Sequence, residues 1–253
     1  MPSDYDRVLV AGASGRTGRE VLDVLAGRDL TVQAITRSPE NRSELLERGV
    51  DEVIVGDLLD PADAEAAVQD CDGVLCAVGS SLRSMLDPAL VDGQGVVNLA
   101  EAAAREGVER FVMESSIGVG NSKSEVPLPF RLLLYRVLKA KGRAEQYLDV
   151  SGPPYTIVRP GGLTDDPATN DVLVAEGGTT ITGMIPRADV ARLLVAALWT
   201  PEARNRTFEV VAREGLRGEA TGLVDLDWAP PVGETSAVAP DGGHAAEKAE
   251  RRD

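Results

Sequence analysis

Histidine is almost missing from this chain. The single one, His244, lies in the last ten of 253 residues. That leaves no histidine-based catalytic triad in the body of the chain, and it removes the commonest metal ligand. Cysteine is nearly as scarce, with only Cys71 and Cys76. Two thiols with no histidine nearby do not complete a zinc site, so no metal is expected. Both read as small core residues in a reducing compartment. No apolar run reaches the roughly 18 residues that a membrane span needs. Positive charge is in short supply, with 26 Lys and Arg against 41 Asp and Glu, a net charge of -15 and a pI near 4.6. Nucleic acids and anionic membranes both call for basic surfaces, so neither is an expected partner. The polar, acidic start Met1–Asp6 is unlike a signal peptide, which makes a cytoplasmic location the expectation. Acidic residues spread along the chain, little lysine and many small residues are the composition of a salt-adapted, halophilic protein.

What is present is a strand, a glycine turn and a helix at the start of the chain. Arg7 to Ala11 is a short apolar run, and Gly12, Gly15 and Gly18 follow. Val21, Leu22, Val24 and Leu25 then mark one face of a helix. In a dinucleotide site the first glycine permits the tight turn. The second lets a pyrophosphate approach the backbone, and the third lets helix and strand pack closely. The helix start, with its free N–H groups and dipole, favours the phosphate charge.

Strands and helices alternate beyond this unit. Strands are expected at 30–36, 52–55, 74–78, 110–113, 155–158 and 207–211. Helices are expected at 38–48, from Asp60-Pro61, from Pro88 to a stop at Gly107, at 130–150 and at 186–199. Units of about 20 to 35 residues predict a Rossmann-type α/β fold, a doubly wound parallel sheet with helices on both faces. The domain is expected over 1–214, with small substrate-side elements at about 160–185 and a short hairpin near Gly177-Gly178. Prolines, glycines and acidic residues in 215–253 read as a flexible tail.

The second strand ends at Arg37, where NAD sites often carry an acid for the ribose hydroxyls; an arginine accommodates a 2′-phosphate. With Arg16 as a second cation beside Ser14 and Thr17 in the glycine loop, the expected cofactor is NADP rather than NAD.

Six motifs occur in one order: Gly12-Ala13-Ser14-Gly15-Arg16-Thr17-Gly18, Gly56-Asp57-Leu58, Ala77-Val78-Gly79, Gly107 to Val112, Ser115-Ser116 and Val158-Arg159-Pro160-Gly161-Gly162-Leu163. Over residues 6–212 the chain resembles the atypical short-chain dehydrogenase/reductase superfamily, in its NAD(P)-binding, NmrA-like and biliverdin/flavin-reductase-like branches. The resemblance implies that Asp57 and Leu58 contact adenine and that Ala77, Val78 and Gly79 line the ribose and phosphate side. It also implies that Ser115 and Ser116 lie at the nicotinamide end, with Pro160, Gly161, Gly162 and Leu163 closing over it.

Active members of that superfamily carry Tyr-x-x-x-Lys on the helix after the fifth strand. Tyrosine donates or accepts the proton, and lysine lowers its pKa and holds the ribose. Tyr135 and Lys139 have this spacing. The Ala-Glu that commonly follows the lysine, here Ala144-Glu145, instead puts Lys141 in register, and Val137 stands four residues before it. Lys139 and Lys141 differ by about 200° around a helix, so both cannot face one cofactor. The preferred reading has Lys141 at the ribose, Ser115 or Ser116 near a small-molecule substrate and no catalytic tyrosine. Tyr135 with Lys139 is the alternative pair. The expected function is NADP-dependent hydride transfer to a small quinone, flavin or carbonyl. The alternatives are a non-catalytic redox sensor of NmrA type and a sugar-nucleotide epimerase. The apolar start of the fifth long helix fits a buried element of a monomer or the interface of a homodimer.

Overall fold

The computed structural model describes residues 5–80, 90–122, 128–178 and 180–229, without the side chains of 128–133. Expectations placed on Pro88, Pro127, the apolar residues 130–133 and the segment 230–253 with His244 lie outside these residues or side chains.

Eight strands form one sheet. In chain order they are β1 (Arg7–Ala11), β2 (Thr31–Thr36), β3 (Glu52–Val55), β4 (Gly73–Cys76), β5 (Arg110–Glu114), β6 (Tyr155–Pro160), β8 (Val172–Glu176) and β10 (Arg206–Ala212), with β7 (Gly162–Thr164) and β9 (Met184–Pro186) forming a separate parallel pair. The spatial order is β3-β2-β1-β4-β5-β6-β10-β8. Every pairing in this sheet is parallel except β10 with β8. The apolar strands are buried on both faces, as a sheet covered on each side requires.

The helices are α1 (Arg16–Leu25), α2 (Arg42–Glu47), α3 (Pro61–Val68), α4 (Val96–Glu106), α5 (Leu128–Ser151) and α6 (Arg187–Trp199). On one face Val21, Leu22 and Leu25 of α1 share a core with Leu194 and Leu198 of α6 and with Val8 and Val10 of β1. On the other, α3, α4 and α5 pack Val68, Leu99 and Leu148 against Leu9 and Phe111. Strand order reverses at β1, with β2 on one side and β4 on the other. Connections leave the carboxyl ends of β1 and β4 in opposite directions there, so a crevice opens between them.

Two expectations are corrected. The hairpin near Gly177-Gly178 does not form. β8 ends at Glu176 and pairs antiparallel with β10, some 30 residues later, because the edge beside β10 offers a whole ladder of partners. Residues 215–229, expected to begin a flexible tail, are laid along the molecule. Val224 N–H donates to Val174 O and Glu176 N–H to Gly222 O, each at 3.0 Å. The ring of Trp228 meets Phe208 edge-on at 5.6 Å. Apolar residues at Leu216, Val224, Leu226 and Trp228 provide the anchoring contacts among the prolines and acids.

Candidate functional site

The crevice begins at the glycine turn. Gly12 has φ +84°, and a Cβ there would lie 2.5 Å from Ala77 O, so only glycine lets β1 and β4 approach this closely. A Cβ on Gly18 would lie 2.1 Å from Gly12 O, which makes the third glycine a packing requirement. The first turn of α1 has neither a side-chain cap nor an acidic residue. α3, by contrast, is capped by Asp60, which accepts from Ala62 N–H at 2.9 Å. The start of α1 therefore presents uncapped N–H groups into an open cleft, the arrangement that suits a pyrophosphate.

One half of the cleft is lined by Gly12, Ser14, Gly15, Arg37, Leu58, Ala77, Val78 and Gly79, together with Ser38 and Asn41. Arg37 is exposed and has no carboxylate partner among the described residues. Asn98 on α4 donates to Leu58 O at 2.9 Å and sets the loop that presents Leu58. Asp57 is turned away from the lining; its Oδ1 accepts from Leu59 N–H and its own N–H donates to Asp63.

The other half is lined by Arg16, Thr17, Ser115, Ser116, Lys141, Pro160, Gly161 and Leu163. Gly162 sits behind them, its N–H bonded to Gly183 O at 2.9 Å. Arg16 is thus in the opposite half from Arg37, and its guanidinium reaches Asp165 at 2.9 Å. Asp165 is also paired with Arg187 at 2.5 Å. The two arginines read together from the sequence do not converge on one phosphate.

Lys141 is 8% exposed, and its Nζ is held by Glu114 O at 3.0 Å and Val78 O at 3.3 Å, with Asp92 Oδ1 at 3.5 Å. The lysine therefore ties α5 to the carboxyl ends of β4 and β5. Asp92 is fully buried and accepts from Ser80 Oγ on its other oxygen. Burial pushes the Glu114 carboxyl up from its ordinary value, an effect that nearby Lys141 and the Thr17 hydroxyl at 3.1 Å oppose. Ser115 donates to Glu145 Oε1 at 2.5 Å, and Arg159 grips both oxygens of Glu145 at 3.0 and 2.6 Å. Ser116 donates to Ile117 O at 3.0 Å. Both serine protons are thus committed within the protein.

Tyr135 is 60% exposed and faces away from this cleft, with Lys139 Nζ 6.0 Å from its ring centroid. None of the four tyrosines of the chain lines either half. The alternative pair is therefore not brought to the site. Asp92 and Glu114 escaped sequence reading as site residues, and Glu145 entered it only as a marker of the lysine register. Their one signal was an acid next to a lysine- or serine-bearing motif, and in a chain with 41 acids that signal carries little information.

A family model described as NAD(P)H-binding matches residues 12–201, from the first glycine of the turn to the end of α6. The chain belongs to that NAD(P)H-binding family. Among its relatives, sanguinarine reductase of Eschscholzia californica is 30% identical over 259 residues, with 85% of this chain and 92% of that one covered. The uncharacterised sugar epimerase YhfK of Bacillus subtilis is 31% identical, with 85% and 98% covered. A solved Bacillus halodurans protein, provisionally assigned as an NAD-dependent epimerase/dehydratase, superposes with a TM-score of 0.70 at 31% identity, covering 85% and 95%. These neighbours fall in the oxidoreductase and epimerase group that the six motifs resemble. Among the described residues no helix is long and apolar enough to cross a membrane.

Proposed function

We propose that this NAD(P)H-binding protein is an NADP-dependent reductase whose acceptor takes its proton from water rather than from a protein acid. The observation that carries this reading is the second half of the cleft. It holds a buried lysine and two serines whose protons are already bonded, its two carboxyl groups, Asp92 and Glu114, are engaged by Lys141, Ser80 and Thr17, and no tyrosine lines it. A ketone or aldehyde needs a proton on oxygen as hydride arrives. A quinone or flavin stabilises the anion that hydride addition leaves, so a positioned acid contributes less.

The cofactor, when bound, supplies the hydride. The start of α1 would hold its pyrophosphate, and Arg37 with Ser38 would hold a 2′-phosphate. Lys141 would hold the ribose by exchanging its longest contact, to Asp92, for a hydroxyl. The name of the sanguinarine reductase relative favours reduction. The name of YhfK favours an epimerase, which must remove and return a proton or hydride at a sugar carbon; among the described residues no tyrosine lines the cleft to do so. A redox sensor of NmrA type would share the cofactor half and turn nothing over.

The test is NADPH oxidation, followed by absorbance, with quinones, flavins, aldehydes and a nucleotide sugar. Oxidation with quinones or flavins, and little with aldehydes, is the expected result. Tight NADPH binding with no oxidation by any acceptor would leave the sensor; interconversion of the nucleotide sugar would leave the epimerase.

A further inference from the structure

Beside the cofactor cleft lies a second hollow of about 920 Å³, lined by Gly118, Val119, Ser122, Tyr135, Lys139 and Arg143 among others. Leu138 lines both it and the cofactor cleft, so the two share a wall. The loop on its far side follows β5, with Gly118 two residues after Ser116. Anything seated here therefore adjoins the half of the cleft that holds Lys141 and the serines.

The charge of this hollow runs against the rest of the molecule. The chain carries -15 overall, and six of its surface arginines, Arg7, Arg19, Arg48, Arg105, Arg206 and Arg213, each pair with a carboxylate. Lys139 and Arg143 have no carboxylate partner among the described residues. They stand four apart on α5, with Gly142 and Gln146 at the neighbouring helical positions where an acid would relieve them. Like charges at this spacing repel one another and disfavour the helix. A chain this rich in acids could have neutralised them at any adjoining position. Beside them the exposed Tyr135 ring and Leu138 offer a flat apolar surface.

We propose that this hollow is the acceptor site and that it selects planar organic anions, with Lys139 and Arg143 binding the anionic group and Tyr135 and Leu138 the ring system. The proposal rests on the reductase reading for the word acceptor; the anion site itself does not.

The test uses the full chain saturated with NADP⁺, so that the dinucleotide cleft is filled. Binding of two matched pairs is measured by calorimetry: flavin mononucleotide against riboflavin, and a naphthoquinone sulfonate against its neutral methyl analogue. The anionic member of each pair is expected to bind about tenfold more tightly, as one charge-assisted contact provides. The Lys139→Gln/Arg143→Gln double variant is expected to erase that preference while NADP⁺ affinity stays as in the parent, which shows the fold is intact. Raising the salt concentration should weaken only the anionic members. Equal binding within each pair, or a preference that survives in the double variant, overturns the proposal. NADPH oxidation measured in parallel separates the two readings. Selective anion binding without oxidation retains the site and removes the reductase. Oxidation of both members of each pair at equal rates, unaffected by the double variant, retains the reductase and removes the site.

Discussion

Arg37 is an exposed cation just after β2, lining the first half of the cleft and lacking a carboxylate partner among the described residues. Arg37→Ala is expected to weaken NADP⁺ binding about tenfold and leave NAD⁺ affinity unchanged, because a charge-assisted phosphate contact is worth about 1.5 kcal/mol. Comparing the two dissociation constants in parent and variant checks it. Glu114 is the other residue with a measurable consequence. Its folded-state pKa is raised by burial, so the folded protein retains a proton that the unfolded chain releases. Stability is therefore lost as pH rises above the ordinary carboxylate range. Glu114→Gln keeps an oxygen for the Thr17 hydroxyl and has no proton to lose. Its melting temperature relative to the parent is expected to climb between about pH 5 and about pH 8. A constant difference over that range would mean that Glu114 ionises as an ordinary carboxylate. The place of Arg37 at the cleft was legible because it directly follows a β-branched strand. Glu114 was not, because nothing in Met113-Glu114-Ser115 says that its side chain turns inward against α1.

At the scale of elements, the glycine turn and seven of the eight strands of the large sheet, β1 to β6 and β10, follow from local chemistry. β-branched runs, a helix stop at Gly107 with φ +83° and a capped start at Asp60 each depend on a few neighbouring residues. The short strands β7, β8 and β9 depend on distant partners, and their sequences are unremarkable in isolation. Segment 215–229 is the same case, held by ladder bonds to β8 and by Trp228 on Phe208. A chain ending at Glu214 is expected to lose about 2 kcal/mol or more relative to one ending at Ala229, since the truncation uncovers apolar surface and leaves ladder groups unpaired. Thermal unfolding of the two truncated chains measures this, and equal melting temperatures would show that the segment adds nothing. Helix α5 displays the limit of periodicity. Its lysines at 139 and 141 both fit a motif, and only the packed structure turned Lys141 inward and Tyr135 outward.

Over the whole molecule, a net charge of -15 sets up self-repulsion that salt screens, with a Debye length falling from about 10 Å at 0.1 M to about 3 Å at 1 M. The melting temperature is expected to rise between those concentrations, whereas affinity for organic anions at the Lys139–Arg143 wall should fall. A melting temperature that is flat or lower in molar salt would remove the halophilic reading. The sequence by itself determined seven of the eight strands of the sheet, the glycine turn and the NAD(P)H cleft, because each rests on residues close together in the chain whose geometry has few alternatives. Only the tertiary structure separated Arg16 from Arg37, committed the serine protons to Glu145 and Ile117 O, and gathered unpaired cations beside the cleft. Those outcomes depend on which way side chains face across α1, β5 and α5. Such directions are set by packing between elements far apart in sequence.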